Sequence, residues 1–252
     1  MIPIKSPSEI ERLRRACAAA AEVLCAVAAL VQPGRTTAEL NDAAGECIRL
    51  LGGKSPFLGY RGYPGHVCVS VNDEVVHGIP GSRKIQYGDI VSLDVGIVID
   101  GYVGDNATTV AVGVMKPRTA ELLRVTEQAL HAGIAQARPG KRVGDISHAI
   151  QAMVEAHGFS AVREFVGHGV GKKMHEEPQI PNFGKADTGP KLKAGMTLAI
   201  EPMINAGTHE VQVLSDGWTV VTADGASSAH FEHTVLVTEG EAEILTWQKK
   251  MQ

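Results

Sequence analysis

The sequence predicts an α/β fold, α+β in its layout, made of two related halves that face each other across a cleft. Two observations carry this. A succession of helix, helix and β-rich stretch occurs twice in the 252 residues, at a nearly constant offset. The composition, 44% hydrophobic and 21% charged, is that of an ordinary globular chain. A chain of this length can bury a sizeable core without staples.

The first element is a helix. Arg12, Arg14 and Arg15 precede an apolar run over residues 16–31, superficially like a signal peptide. Glu22 interrupts that run, the basic cluster sits deep in the chain, and Ser8 followed by Glu11 has capping-box spacing. A long amphipathic helix is therefore expected. It runs into Pro33-Gly34-Arg35, and a second helical stretch over residues 119–137 runs into Pro139-Gly140-Lys141, 106 positions later. Glu39-Leu40 matches Asp145-Ile146, and Leu51-Gly52 matches His157-Gly158, at the same offset. Lys84-Ile85-Gln86-Tyr87-Gly88 precedes a strand carrying Asp94, and Lys191-Leu192-Lys193-Ala194-Gly195 precedes one carrying Glu201, 107 positions on. A solenoid needs at least three units, so two halves, roughly 1–113 and 114–252, are the better account.

The β regions follow. Residues 90–111 and 197–237 are rich in Val, Ile and Thr, with turns at Asp100-Gly101 and Asp224-Gly225. No Ser/Pro-rich linker separates the halves, so one domain over residues 1–252 is expected.

The formal charge of −4 gives no reason to expect nucleic acid or an anionic membrane as partner. Apart from the run over residues 16–31, no stretch approaches the roughly 20 apolar residues of a membrane span. Cys17, Cys25, Cys47 and Cys68 form no CxxC pair and read as buried thiols in a reducing compartment, so a cytoplasmic protein is expected.

The chemistry lies in the carboxylates. With Asp100-Gly101 as a two-residue hairpin turn, Asp105 faces Gly96, and Asp94 lies two residues from Gly96 on the same face. The two aspartates are then diagonal neighbours, roughly 7–8 Å apart at the backbone. Like charges converging in an apolar sheet call for a compensating cation. Glu201 also sits in an apolar strand, in Leu198-Ala199-Ile200-Glu201-Pro202, and Glu232 heads a third. Between them a Gly-rich loop carries His168 and His175. Four acids and an imidazole are enough for two metal ions, and such an oxygen-rich set suits manganese, iron(II), cobalt or zinc. Spacing alone does not bring Glu201 and Glu232 to the aspartates; the equivalence of Asp94 and Glu201 in the repeat is the only support the residues themselves give for it.

Among the other histidines, His131, His148 and His157 lie in helical stretches and read as surface or packing residues. His66, His209, His230 and His233 are ambiguous and lean toward an ordinary role. His77 follows an apolar strand and starts a Gly-Pro turn, a good place for a loop-borne catalytic group.

These residues together resemble the methionine aminopeptidases, within the pita-bread metallohydrolases that include prolidase, aminopeptidase P and creatinase. The likeness runs over essentially the whole chain. It includes Gly59-Tyr60-Arg61-Gly62-Tyr63-Pro64, residues 72–80, the Asp94/Asp105 hairpin and Gly167-His168-Gly169-Val170-Gly171. It continues through His175-Glu176-Glu177-Pro178, Glu201-Pro202 and Phe231-Glu232-His233-Thr234. Glu232 follows Glu201 by 31 positions, as in the short type I form.

The resemblance implies a pita-bread fold, with two helices of each half packed on a mainly antiparallel sheet. It implies removal of the N-terminal methionine by two divalent ions, whether cobalt, manganese, iron(II), zinc or nickel. Asp94, Asp105, His168, Glu201 and Glu232 would be the ligands, with Asp105 and Glu232 bridging. His77 and His175 would be the non-ligand catalytic histidines in contact with substrate, and Glu201 would also carry a proton. Tyr60, Tyr63, Cys68, Met174 and Trp218 would form the methionine pocket. Two positions depart from the common bacterial pattern: Phe57 stands where a cysteine is usual and Met174 where a phenylalanine is. The implied partners are nascent polypeptide N-termini, with the chain acting as a monomer. Bacterial relatives dock at the ribosome partly through a basic loop. No Lys or Arg occurs between Lys193 and Lys249, so any transient ribosome contact is expected to use another surface.

Overall fold

Helix α1 begins two residues earlier than the Ser8–Glu11 spacing suggests, and Pro7 is the reason. In the computed structural model, which describes residues 2–247, α1 spans Pro7–Ala28 with Ser6 as its N-cap. The Ser6 backbone N–H donates to Glu9 Oε2 at 2.9 Å, so Glu9 rather than Glu11 completes the capping box. Proline suits the first helical position because its φ is already helical and its missing N–H would have no partner there. That places Ser8 inside the first turn. Met1 and residues 248–252, Lys249 among them, lie outside the described residues.

Helix α2 (Thr37–Leu50) follows, then β1 (Cys68–Val71), β2 (Glu74–Val76), β3 (Ile90–Ile99) and β4 (Tyr102–Ala111). Helices α3 (Pro117–Ile134) and α4 (Val143–Glu155) come next, then β5 (Ser160–Ala161), β6 (Gly167–Gly169) and β7 (Glu176–Ile180). The chain continues through β8 (Thr197–Ile200), β9 (Met203–Asn205), β10 (Val211–Val213) and β11 (Val220–Thr222). It closes with β12 (Ser228–His230), β13 (Glu232–Leu236) and β14 (Glu243–Ile244). The main sheet has the order β1-β3-β4-β13-β8-β6-β7, with β14 on β13. Its described pairings are antiparallel. Small sheets β10-β11-β2 and β12-β9-β5 flank it.

Alternation along the strands decides which face the helices take. In β3, Val91, Leu93, Val95 and Ile97 pack with Val23, Val27, Leu40 and Ile48 of α1 and α2. In the second half of the chain, Leu198, Ile200 and Val235 pack with Leu130, Ile146 and Ile150 of α3 and α4. The intervening residues, Asp94, Glu201 and Glu232 among them, therefore point to the opposite face.

The repeat offset has a structural counterpart. Thr36 bridges Lys84 just as Arg142 bridges Lys191. Ile85 N–H donates to Arg35 O at 2.8 Å and Leu192 N–H to Lys141 O at 2.9 Å. Each Pro-Gly turn is thus tied to the segment that enters the following carboxylate strand. Asp224 and Gly225 do form a turn, but it joins β11 and β12, which belong to different sheets.

The cysteines depart from expectation. All four are free, but only Cys17 and Cys68 are buried; Cys25 is exposed and Cys47 half-buried. Cys25 lies on the outward side of α1, where an apolar sequence run does not guarantee burial. No helix among the described residues is long and apolar enough to cross a membrane.

Candidate active site

The β3–β4 hairpin sets the geometry. Asp100 (φ 50°) and Gly101 (φ 76°) both adopt the left-handed conformation that a tight two-residue turn requires. Ile99 pairs with Tyr102, Gly96 with Asp105 and Asp94 with Ala107, the register expected from the turn. On the other side of β4, Ala107 pairs with Glu232, so Asp94, Ala107 and Glu232 form a row across three strands. His233 pairs with Ile200, which puts Glu201, the residue after β8, beside Glu232. His168 pairs with Ala199, two residues before Glu201. Five adjacent strands thus deliver Asp94, Asp105, Glu232, Glu201 and His168 to one face.

His168 reaches that face because its neighbours are glycines. A Cβ on Gly169 would stand 2.2 Å from the Glu177 carbonyl oxygen, and one on Gly167 2.5 Å from that of Ala199. Only bare backbone lets β6 lie so close to β7 and β8.

The groups converge tightly. His168 Nε2 is 3.3 Å from Glu201 Oε1 and 3.9 Å from Asp105 Oδ2. One ligand-type atom from each of Asp105, His168 and Glu232 lies within 4.8 Å of the others. Asp105 Oδ1 and Glu232 Oε1 are buried without a hydrogen-bond partner. His168 Nδ1 donates to the Gly169 carbonyl at 2.9 Å, so its Nε2 turns a lone pair toward the carboxylates. Burial lowers its pKa to about 4 and keeps the ring neutral, as a metal ligand must be.

The acids show the opposite shift. Burial raises Asp94 to about 7 and Glu201 to about 8. Asp105 and Glu232 are raised well above the carboxylate range, first by burial and then by the neighbouring acids. Partnerless oxygens, a neutral imidazole and four crowded carboxyls make a donor set that a divalent cation satisfies.

A pH dependence follows for the metal-free protein. A carboxyl whose folded pKa lies above its unfolded value of about 4 binds its proton more tightly in the folded state. Its stabilisation is full below about pH 4 and is lost as pH rises through the folded values, about 7 for Asp94 and about 8 for Glu201. Chelator-treated protein should therefore melt at a lower temperature at pH 9 than at pH 6.5, and excess Mn²⁺ should narrow that gap. Equal midpoints without metal at the two pH values would contradict the assignment.

The same groups form one end of a cavity of about 450 Å³. Its remaining walls are Phe57, Tyr60, Arg61, Tyr63, Cys68, His77, Met174, His175 and Trp218. Every site residue expected from the sequence lines this cavity. Tyr63 and Trp218 meet edge to face, ring centres 5.0 Å apart. Tyr63 is fixed by donating its hydroxyl to Gly78 O at 2.8 Å. His77 is in the left-handed region at φ 60°, a strained conformation for a non-glycine residue. Its ring lies edge-on to Phe165 and Trp218, and burial lowers its pKa to about 4. His175 stands edge-on to His168, centres 4.5 Å apart, with its Nδ1 3.3 Å from the Tyr60 hydroxyl.

Sequence reasoning missed two residues here. Arg61 lies in a motif singled out above, yet its place on the cavity wall shows only in the fold, where its guanidinium sits 5.4 Å from the Tyr60 ring centre. His230, ambiguous from the sequence with a lean toward an ordinary role, is buried with its Nε2 3.5 Å from Glu201 Oε2. No local pattern separates it from its neighbours, because β12 enters from a different sheet.

Comparison with known proteins accords with this geometry. Residues 11–239 match the profile of metallopeptidase family M24. The chain is 50% identical to methionine aminopeptidase 1 of Bacillus subtilis over 246 residues, covering 98% of this chain and 99% of that one. It superimposes on the crystal structure of methionine aminopeptidase from Thermotoga maritima with a TM-score of 0.97 at 50% identity, covering 98% and 100% of the two chains. Prolidase from Pyrococcus furiosus shares the fold, with a TM-score of 0.79 at 22% identity, over 98% of this chain and 66% of that one.

Proposed function

The chain belongs to metallopeptidase family M24, and from that premise we propose that it removes the N-terminal methionine from peptides and nascent polypeptides in the cytoplasm. The observation that carries this is a single cavity in which an apolar, aromatic pocket abuts a buried cluster of four acids and a histidine. Asp94, Asp105, His168, Glu201 and Glu232 would hold two divalent ions within one metallopeptidase domain. When bound, the ions supply Lewis-acid activation of water and of the scissile carbonyl.

The chain's own residues do the rest. Tyr60, Tyr63, Cys68, Met174 and Trp218 enclose the methionine side chain, with Phe57 packed against Tyr63 and Cys68. An unbranched thioether adapts to such a slot and contacts its aromatic edges favourably. Glu201 takes the proton of the attacking water and passes it to the leaving amine. His175, steadied by the Tyr60 hydroxyl, donates a hydrogen bond to the oxygen on which charge develops. His77, held neutral by burial, contacts the substrate beside Trp218. The rest of the polypeptide leaves along the groove lined by Pro3, Lys173, Glu177 and Gln179, which adjoins the cavity at His168 and His175.

Selectivity tests this reading. Peptides beginning Met-Ala should be hydrolysed with the highest kcat/KM and Met-Lys starts poorly. Replacing the methionine by leucine should cost roughly 1–3 kcal/mol, so slow cleavage persists. Comparable kcat/KM for Met-Ala and Met-Lys starts would contradict the proposal. Preference for Xaa-Pro or Pro-first peptides would move the chain to a proline-directed activity.

A further inference from the structure

Glu201 is bracketed by two imidazoles, and only one of them belongs to the ligand set above. Its Oε1 lies 3.3 Å from His168 Nε2 and its Oε2 3.5 Å from His230 Nε2. His230 is 2% exposed, and its Nε2 makes no hydrogen bond, with Glu201 Oε2 the acceptor beside it. Buried polar side-chain atoms are nearly always partnered, so an orphan aimed at a reactive carboxylate calls for an explanation.

The backbone that carries this ring is anchored. The His230 N–H donates to Thr109 Oγ1 at 2.9 Å, and that hydroxyl bonds back to the His230 carbonyl at 2.8 Å. Thr109 stands on β4, the strand of Asp105, and its Oγ1 is 2.8 Å from Ser92 Oγ on β3, the strand of Asp94. The clamp thus ties β12 to the two strands that carry the aspartates. Asp94 and His77 are the other ionisable groups whose charges act on His230 or feel its own.

We propose that His230 is a positioning residue for Glu201: its Nε2–H donates to Oε2 and so presents Oε1 to the ion held beside His168. This rests on the assignment of Glu201 as both ligand and proton carrier. A carboxylate free to rotate can offer an ion either oxygen or both. One whose Oε2 is held offers a single oxygen in a single orientation, and Oε2 keeps a second lone pair for the proton in transit. Partners that orient a ligand in this way are worth about 10–100-fold in metal affinity or rate.

The test uses full-length protein stripped of metal, comparing wild type with H230L and H230Q. Mn²⁺ binding is read by titration calorimetry, with kcat and KM on Met-Ala-Ser and the thermal midpoint alongside. H230L should bind Mn²⁺ about 10–100-fold more weakly and lose kcat by a similar factor, with little change in KM. H230Q, whose amide N–H can reach the same oxygen, should recover both to within a few-fold. Wild-type affinity and kcat in H230L would overturn the proposal. H230Q as impaired as H230L would also overturn it, since the ring would then matter for packing alone. Failure of wild type to bind Mn²⁺ would instead remove the metal assignment beneath it.

Discussion

Glu232→Gln is expected to abolish metal retention and reduce kcat/KM by well over the roughly 10²-fold that loss of a supporting partner costs. Glu232 heads the strand that joins β4 to β8 and is 2% exposed, with one carboxylate oxygen unpaired. Asp105 is its counterpart across the cluster, 4% exposed and likewise with one unpaired oxygen. If these two serve both ions, replacing either costs more metal than a change at Asp94 or His168. The amide preserves volume, so the effect on the metal-free protein runs the other way. Removing one acid from a crowded, buried set relieves repulsion and burial of charge. Chelator-treated Glu232→Gln should therefore melt above chelator-treated wild type at pH 9, although it is inactive. Elemental analysis and melting curves on both proteins check this. Full metal content in the variant would sink the bridging role.

His175→Ala is expected to keep its metal while kcat falls about 10²–10³-fold, the worth of a single donor to a developing oxyanion. KM should move little, because the interaction strengthens only as the transition state forms. The geometry motivates the contrast. His175 packs edge-on against His168 and is touched by the Tyr60 hydroxyl, whereas His168 alone of the two approaches Asp105 and Glu201 within 4 Å. His168→Ala should lose metal and activity together. Metal loss in His175→Ala, or wild-type kcat, would reverse these roles.

What could be read from the sequence depended on how local its cause was. The β3–β4 register follows from two residues, Asp100 and Gly101, whose left-handed turn leaves one pairing, so the Asp94/Asp105 neighbourhood was legible before any fold was known. The site's other half was not legible from spacing. Glu232 meets Asp105 because β13 inserts between β4 and β8, a pairing more than 120 residues apart in sequence. The repeat and the family resemblance supplied what spacing could not. His230 escaped both, since its relation to Glu201 arises where a strand of a small sheet meets the large one. The α1 cap was misplaced for a smaller reason: Ser6 and Ser8 both have a glutamate three residues on, and only Pro7 decides between them. The exposed Cys25 shows that an alanine-rich helix carries too little contrast in polarity to tell its faces apart.

On the proposed function, this cavity removes methionine only when its acids hold a divalent cation. The most direct measurement is release of free methionine from Met-Ala-Ser by protein dialysed against chelator, before and after adding back Mn²⁺, Co²⁺, Fe²⁺, Ni²⁺ or Zn²⁺. Release should be absent in chelator and return with at least one of these ions, saturating near two equivalents per chain. Undiminished release in excess chelator, or none with any of the ions, would contradict the account.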